Sequence, residues 1–270
     1  MNSFKKIIAA SAIALASTVV SADEVSVGGI TWDAFGSQNG VAAGFTFQQW
    51  NADPTAGIYG TGSEGQSTLI SGAAISPLNP TGELVGVGEF NAFYENRGVG
   101  GAFNPTTCAS CELTYAFGGL VLESINGDQL VYNTDNAWLN VYFDETTPFG
   151  NFGNLTNTND SAHTEVADAQ DGTLWASLVF DSFEVKGSLL GGFANIELSV
   201  VGGLADVVAA LDYNETVSDI KMTSSSIFQG GQLYSTVSTG QLANKVPEPT
   251  SLAIFGLGLL GLAGAARRKA

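Results

Sequence analysis

The chain has 270 residues, with 26 acidic and nine basic side chains, one histidine and a formal charge of −17. That balance excludes a protein that grips nucleic acid or an anionic bilayer through its own charge. Thirty-four glycines and no long Glu/Lys/Ala-rich stretch exclude a helical bundle, and short aromatic and β-branched runs between turn residues read as an all-β body.

In chain order, residues 1–22 come first. Lys5 and Lys6 precede an apolar run from Ile7 to Val20, and Val20-Ser21-Ala22 offers small residues at a cut site. This is the layout of a secretory signal peptide, with cleavage by signal peptidase between Ala22 and Asp23. Residues 23–245 then form the body. It keeps 25 acids and four bases, a formal charge of −21.

Val27 to Trp32 is read as the first strand. Gly44 to Gln49 alternates Phe45 and Phe47 with polar neighbours, the period of a half-buried strand. Residues 50–66 read as loop, and Thr68 to Ile75 as a further strand ended by Pro77. Glu83 to Tyr94 is extended, with Leu84, Gly86 and Gly88 on one face and Val85 and Val87 on the other. Its small residues predict a close approach by a neighbouring sheet. Glu112 to Ser124 places Leu113, Tyr115 and Phe117 on one face, and Gly118-Gly119 predicts a bulge. Asn126-Gly127 predicts a hairpin into Gln129–Tyr132. Ala137 to Asp144 sets Leu139, Val141 and Phe143 against Trp138, Asn140 and Tyr142.

Residues 146–171 read as one long polar loop, a length that points to function. Leu174–Val185 and Phe193–Val201 read as strands. Gly203–Tyr213 is the one helix, with Leu204, Val207, Val208 and Leu211 at helical spacing. Ile220–Met222 and Ser226–Ser238 close the sheet, and residues 239–246 read as a polar linker. The expected architecture is a β-sandwich, or a jelly-roll-like variant, with one short helix.

Few residues of the body suggest chemistry. Cys108-Ala-Ser-Cys111 is the only cysteine pair. In an exported chain it favours a disulfide. A redox motif and a metal site are the alternatives, though the first wants a helix after the pair and the second four ligands. Asp160, Glu165, Asp168 and Asp171 bunch oxygen ligands in the long loop, a composition that suits calcium without matching an EF-hand. Beyond that possible calcium, no cofactor is expected. His163 in the same loop could act as a base beside Asp160 or Glu165. The pairs Asp144-Glu145 and Asp23-Glu24 meet the composition of a glycosidase site but carry no spacing. Trp32, Trp50, Trp138 and Trp175 could stack on sugar rings if exposed, but packing in the core or on the sheet is the favoured reading for most of them, and Trp50, beside the polar 50–66 loop, is the one it fits least well.

The tail, residues 246–270, is more specific. Pro247-Glu248-Pro249 opens it, 17 uncharged residues follow from Thr250 to Ala266, and Arg267, Arg268 and Lys269 close it. As a helix the apolar run spans roughly 25 Å, close to the thickness of a hydrocarbon core. The basic cluster is then a cytoplasmic stop. This three-part order resembles the PEP-CTERM sorting signal of Gram-negative bacteria. The resemblance implies passage through the inner membrane on a single transmembrane sorting helix and cutting near Pro247 by an exosortase. It also implies association with extracellular polysaccharide and biofilm. The expected function is therefore an exported surface or matrix protein with no catalysis of its own. A carbohydrate-binding module of the matrix and a secreted hydrolase are the alternatives.

Overall fold

Buried and exposed side chains alternate along residues 178–188, 193–203 and 220–223, whereas residues 113–120 and 138–143 are buried on both faces, and the sheet wraps around a single interior. The computed structural model describes residues 24–33, 41–52, 69–70, 83–94, 100–102, 111–145, 168–188, 190–212, 218–227, 235 and 238–244. The strands are β1 (Glu24–Val27), β2 (Ile30–Asp33), β3 (Ala42–Ala52), β4 (Leu69–Ile70), β5 (Glu83–Tyr94), β6 (Gly100–Ala102) and β7 (Glu112–Asn126). They continue as β8 (Gln129–Asn133), β9 (Trp138–Asp144), β10 (Thr173–Ser188), β11 (Gly191–Gly203), β12 (Ile220–Ile227) and β13 (Ser238–Asn244), with helix α1 (Ala205–Leu211) between β11 and β12.

The long strands pair in the order β3, β5, β7, β8 with β9, β10, β11, β12 and β13, and β13 pairs back onto β3. All these pairings are antiparallel. β8 and β9 occupy one slot between β7 and β10, as a single strand broken at residues 134–137. The result is a closed up-and-down ring of eight strand positions, in which neighbours in sequence are neighbours in space. β4 and β6 are short additions to β3 and β5.

This corrects the expectation of a sandwich or jelly roll. The all-β body stands, as does, among the described residues, the single short helix; the two facing sheets do not. Alternation names the buried face of each strand but not its partner, and here the last strand closes on the first, leaving no long open edge.

Three further corrections share a local cause. VGGITW is not one strand but a hairpin. Gly28 and Gly29 take positive φ angles of 55° and 81°, and Val27 pairs with Ile30 across them. Two residues with φ > 0 are what a tight hairpin turn requires, and Gly-Gly supplies both. Residues 239–244 are not linker but most of β13. Their polar look arises because Gly240, facing Phe45 in register, has no side chain to bury. Among the described residues no second sheet lies over the small residues of β5; the Phe117 and Tyr115 rings of β7 lie over Gly86 and Gly88 instead. The bulge at Gly118-Gly119 and the turn at Gly127 are present: β7 shifts register opposite Leu84/Gly86, and Gly119 and Gly127 have φ of 80° and 66°.

One end of the ring is plugged. The β1–β2 hairpin and α1 lie across it, tied by Gly28 N–H donating to Asp206 Oδ2 (2.9 Å) and Trp175 Nε1 donating to Gly28 O (3.0 Å). Trp32 stacks on Phe93 at a centroid distance of 6.1 Å. Val207 and Leu211 are the buried side of α1, which fits their helical spacing. Both β1 and the C-terminal end of β13 belong to this end, since Asn244 pairs with Ile220 beside Leu211.

Candidate functional site

The interior is built from cross-strand pairs of one bulky and one minimal residue. Gly86 faces Phe117, Gly88 faces Tyr115 and Gly240 faces Phe45 in register. A β-carbon on Gly88 would lie 2.2 Å from the Tyr115 ring, and one on Gly240 2.2 Å from the Phe45 ring. The aromatic rings therefore lie flat over glycine backbone, a large-with-small arrangement that fits rings into a narrow barrel. Phe45 and Tyr115 meet edge to face at 5.9 Å, and Phe90 packs tilted against Tyr115 at 5.2 Å. The Tyr115 hydroxyl donates to Thr46 O at 3.2 Å. Burial, then the nearby Glu89 carboxylate, pushes the Tyr115 phenol well above its ordinary range.

Away from the plug the inward faces change character. Along β3 they run Phe45, Phe47, Gln49, Asn51; along β10, Phe180, Phe183, Val185, Ser188; along β12, Met222, Ser224, Ser226. β3 and β12 grade from apolar to uncharged polar toward the same end, and the exposed Ser188 at the end of β10 borders the same rim. β11 meanwhile thins from Ile196 through Ala194 to Gly192 and Gly191. A cavity of about 70 Å³ is left there. At its rim Gln49 Nε2 donates to Ser226 Oγ at 2.8 Å. The described residues that line it include no carboxylate, no lysine or arginine and no histidine. On the outer wall beside this rim, Phe193 is 71% exposed.

A separate group of carboxylates lies at the plugged end. Glu112 and Asp144 are register partners on β7 and β9, and Asp171 follows a 3-10 turn at Asp168–Gln170. One oxygen from each lies within 4.8 Å of the others. Thr114 Oγ1 anchors the turn by donating to Ala169 O at 2.9 Å. Three like charges so close repel one another, and an oxygen-seeking cation or a proton would relieve them.

Of the four acids read as a calcium loop, Asp171 is the one whose side chain is placed, and it meets Glu112 and Asp144 rather than its loop neighbours. Asp168 opens the 3-10 turn; Asp160, Glu165 and His163 lie outside the described residues. Cys111 is buried just before β7 and is not a free thiol, while Cys108 lies outside the described residues. Ala22, Asp23, Pro247, Glu248, Pro249, Arg267, Arg268 and Lys269 also lie outside them. Among the described residues no helix is long and apolar enough to cross a membrane.

The tryptophans follow the core-packing reading favoured for most of them, and the sugar-stacking alternative falls, for Trp50 too. Trp32, Trp50, Trp138 and Trp175 are all buried, Trp50 with no exposure at all, so none offers a face to a sugar. Their rings fill the plug and the sheet. Sequence reasoning missed the cavity and the pairing of Glu112 with Asp144. The signal for the first was present in FTFQQWN, where alternate residues pass from phenylalanine to amide.

Comparison with known proteins informs one end of the chain. A family model described as the PEP-CTERM protein-sorting motif matches residues 245–269. The chain carries a PEP-CTERM sorting motif. The match starts at the residue after Asn244, where β13 ends, so barrel and motif abut without overlap. A PEP-CTERM motif implies export across the membrane and processing by an exosortase. No curated protein matches the chain, and no solved structure does.

Proposed function

We propose that this chain is an exported surface or matrix protein, trimmed by signal peptidase after Ala22 and by an exosortase near Pro247, and delivered to the extracellular polysaccharide layer. On this reading the barrel is the cargo, residues 246–270 are a transient membrane-held address, and the chain performs no catalysis. The observation that carries the reading is the sorting motif at 245–269, set directly after the strand that closes the ring. Removing the motif costs the barrel no strand, which suits a segment made to be cut away. A body charge of −21 favours solubility outside the cell.

Mass spectrometry of the native protein from cell-surface and medium fractions tests this. The expected species begins at Asp23 and ends near Pro247. Neutralising Arg267, Arg268 and Lys269 should leave untrimmed chain and lower the surface yield. Full-length chain dissolved in the cytosol, uncut at both ends, would overturn the reading.

A further inference from the structure

We propose that the half of the barrel away from the plug is a binding site for a small apolar molecule with one uncharged polar end, such as an alcohol, ester or amide. The apolar part lies against Phe47, Phe117, Phe180 and Met222, and the polar end sits at Gln49 and Ser226. This goes beyond the sorting role and does not depend on it.

Three observations converge on this. First, an eight-stranded barrel is just wide enough either to be filled by its own side chains or to hold one small ligand. This chain does both, one half each. Trp175, Leu211 and Leu198 line the plugged half, where about 30 Å³ is left. The other half keeps about 70 Å³ because β11 presents Ala194, Gly192 and Gly191 inward. Where a water needs about 10–15 Å³, this is room for several waters, or for a short aliphatic chain or a single ring. Second, the polarity is graded along one axis on two separate strands, β3 and β12, joined at the rim by the Gln49–Ser226 hydrogen bond. A sheet packed only for stability has no use for inward Gln49, Ser224 and Ser226 at one end. A ligand with an apolar body and a polar head matches that gradient, since small-molecule sites join apolar walls to a few placed polar groups. Third, the described lining carries no ionisable group apart from the Tyr115 and Tyr132 phenols, and burial raises both. A carboxylate or ammonium head would lose its water there without gaining a counter-charge. The acidic body disfavours anions further.

The test uses a built-in reporter. The chain has two methionines, Met1 and Met222, and Met222 lines the cavity. In full-length protein labelled with 13C at the methionine methyls, Met222→Leu assigns the signal. Addition of 1-hexanol should move the Met222 methyl saturably, and hexanoate should need at least a tenfold higher concentration. Ala194→Leu, which fills the cavity, should abolish the response. Gln49→Leu should weaken hexanol several-fold while leaving the shift caused by dissolved xenon unchanged. A folded chain whose Met222 signal does not respond to hexanol would overturn the proposal, as would an undiminished response in folded Ala194→Leu. Equal response to hexanoate would overturn the claim of an uncharged head. Should Ala194→Leu fail to fold, the contrast between hexanol and xenon in Gln49→Leu decides: equal loss of both overturns the proposed placement of the head.

Discussion

The two ends of this barrel use the same strands for opposite purposes. At the plugged end, inward positions carry large side chains, and a hairpin and a helix are laid across the opening. Toward the other end the same strands pass from aromatic rings to glycine, alanine, serine and amides, and space is left. Closing the ring satisfies the backbone at both ends alike. What differs is the side-chain volume offered inward, and therefore where the free energy of burial is concentrated. The plugged half is filled by its own side chains, and the other half is where we propose that a ligand binds.

Substitutions can break or sharpen that contrast. The largest effect is expected for Trp175→Ala, which empties the plug and removes the hydrogen bond to Gly28 O. A loss of about 3–5 kcal/mol in denaturant unfolding is expected. Gly88→Ala comes next. Its β-carbon would meet the buried Tyr115 ring, and overpacking of this kind costs about 1–3 kcal/mol. Ser226→Ala at the rim removes one partner of Gln49, where the cavity leaves room for water to replace it. A change within about 1 kcal/mol is expected. A cost at Ser226 equal to that at Trp175 would erase the distinction between the two ends.

The smallest effect depends on pH. Burial raises the Glu89 carboxyl above its ordinary value, and the hydrogen bond from Thr46 Oγ1 (3.4 Å) opposes this only in part. A carboxyl raised in the folded state contributes stability that is fully present below its ordinary value of 4.5 and is lost as pH rises through the folded value. Glu89→Gln should therefore raise Tm at pH 7, and the gain should vanish below pH 4.5. Melting curves of both proteins across that range check the sign.

Much of the fold was legible as a set of strands and faces. Leu113, Tyr115 and Phe117 do share the lumen, as do Leu84, Gly86 and Gly88, because a pleated strand puts alternate residues on one side. Closure was not legible. Nothing in STGQLAN announces that it pairs with both β12 and β3, and Gly240 hides its inward position. The Gly28-Gly29 turn was written in the sequence but masked by the β-branched and aromatic residues around it. For the site, the gradient from Phe45 to Asn51 is visible in one strand. Its meaning appears only when β12 brings a matching gradient to the same rim. Glu112 and Asp144 stand 32 positions apart, and only the β7–β9 register joins them.

β13 leaves the ring at the plugged end, and two residues separate Asn244 from Pro247. A bilayer-inserted tail would therefore hold the molecule by its base on a very short leash, like a cup stood on a table. The rim would be turned away from the lipid toward the outside solution. Scission near Pro247 would free the vessel without parting a single strand pair, so its contents, if any, would travel with it.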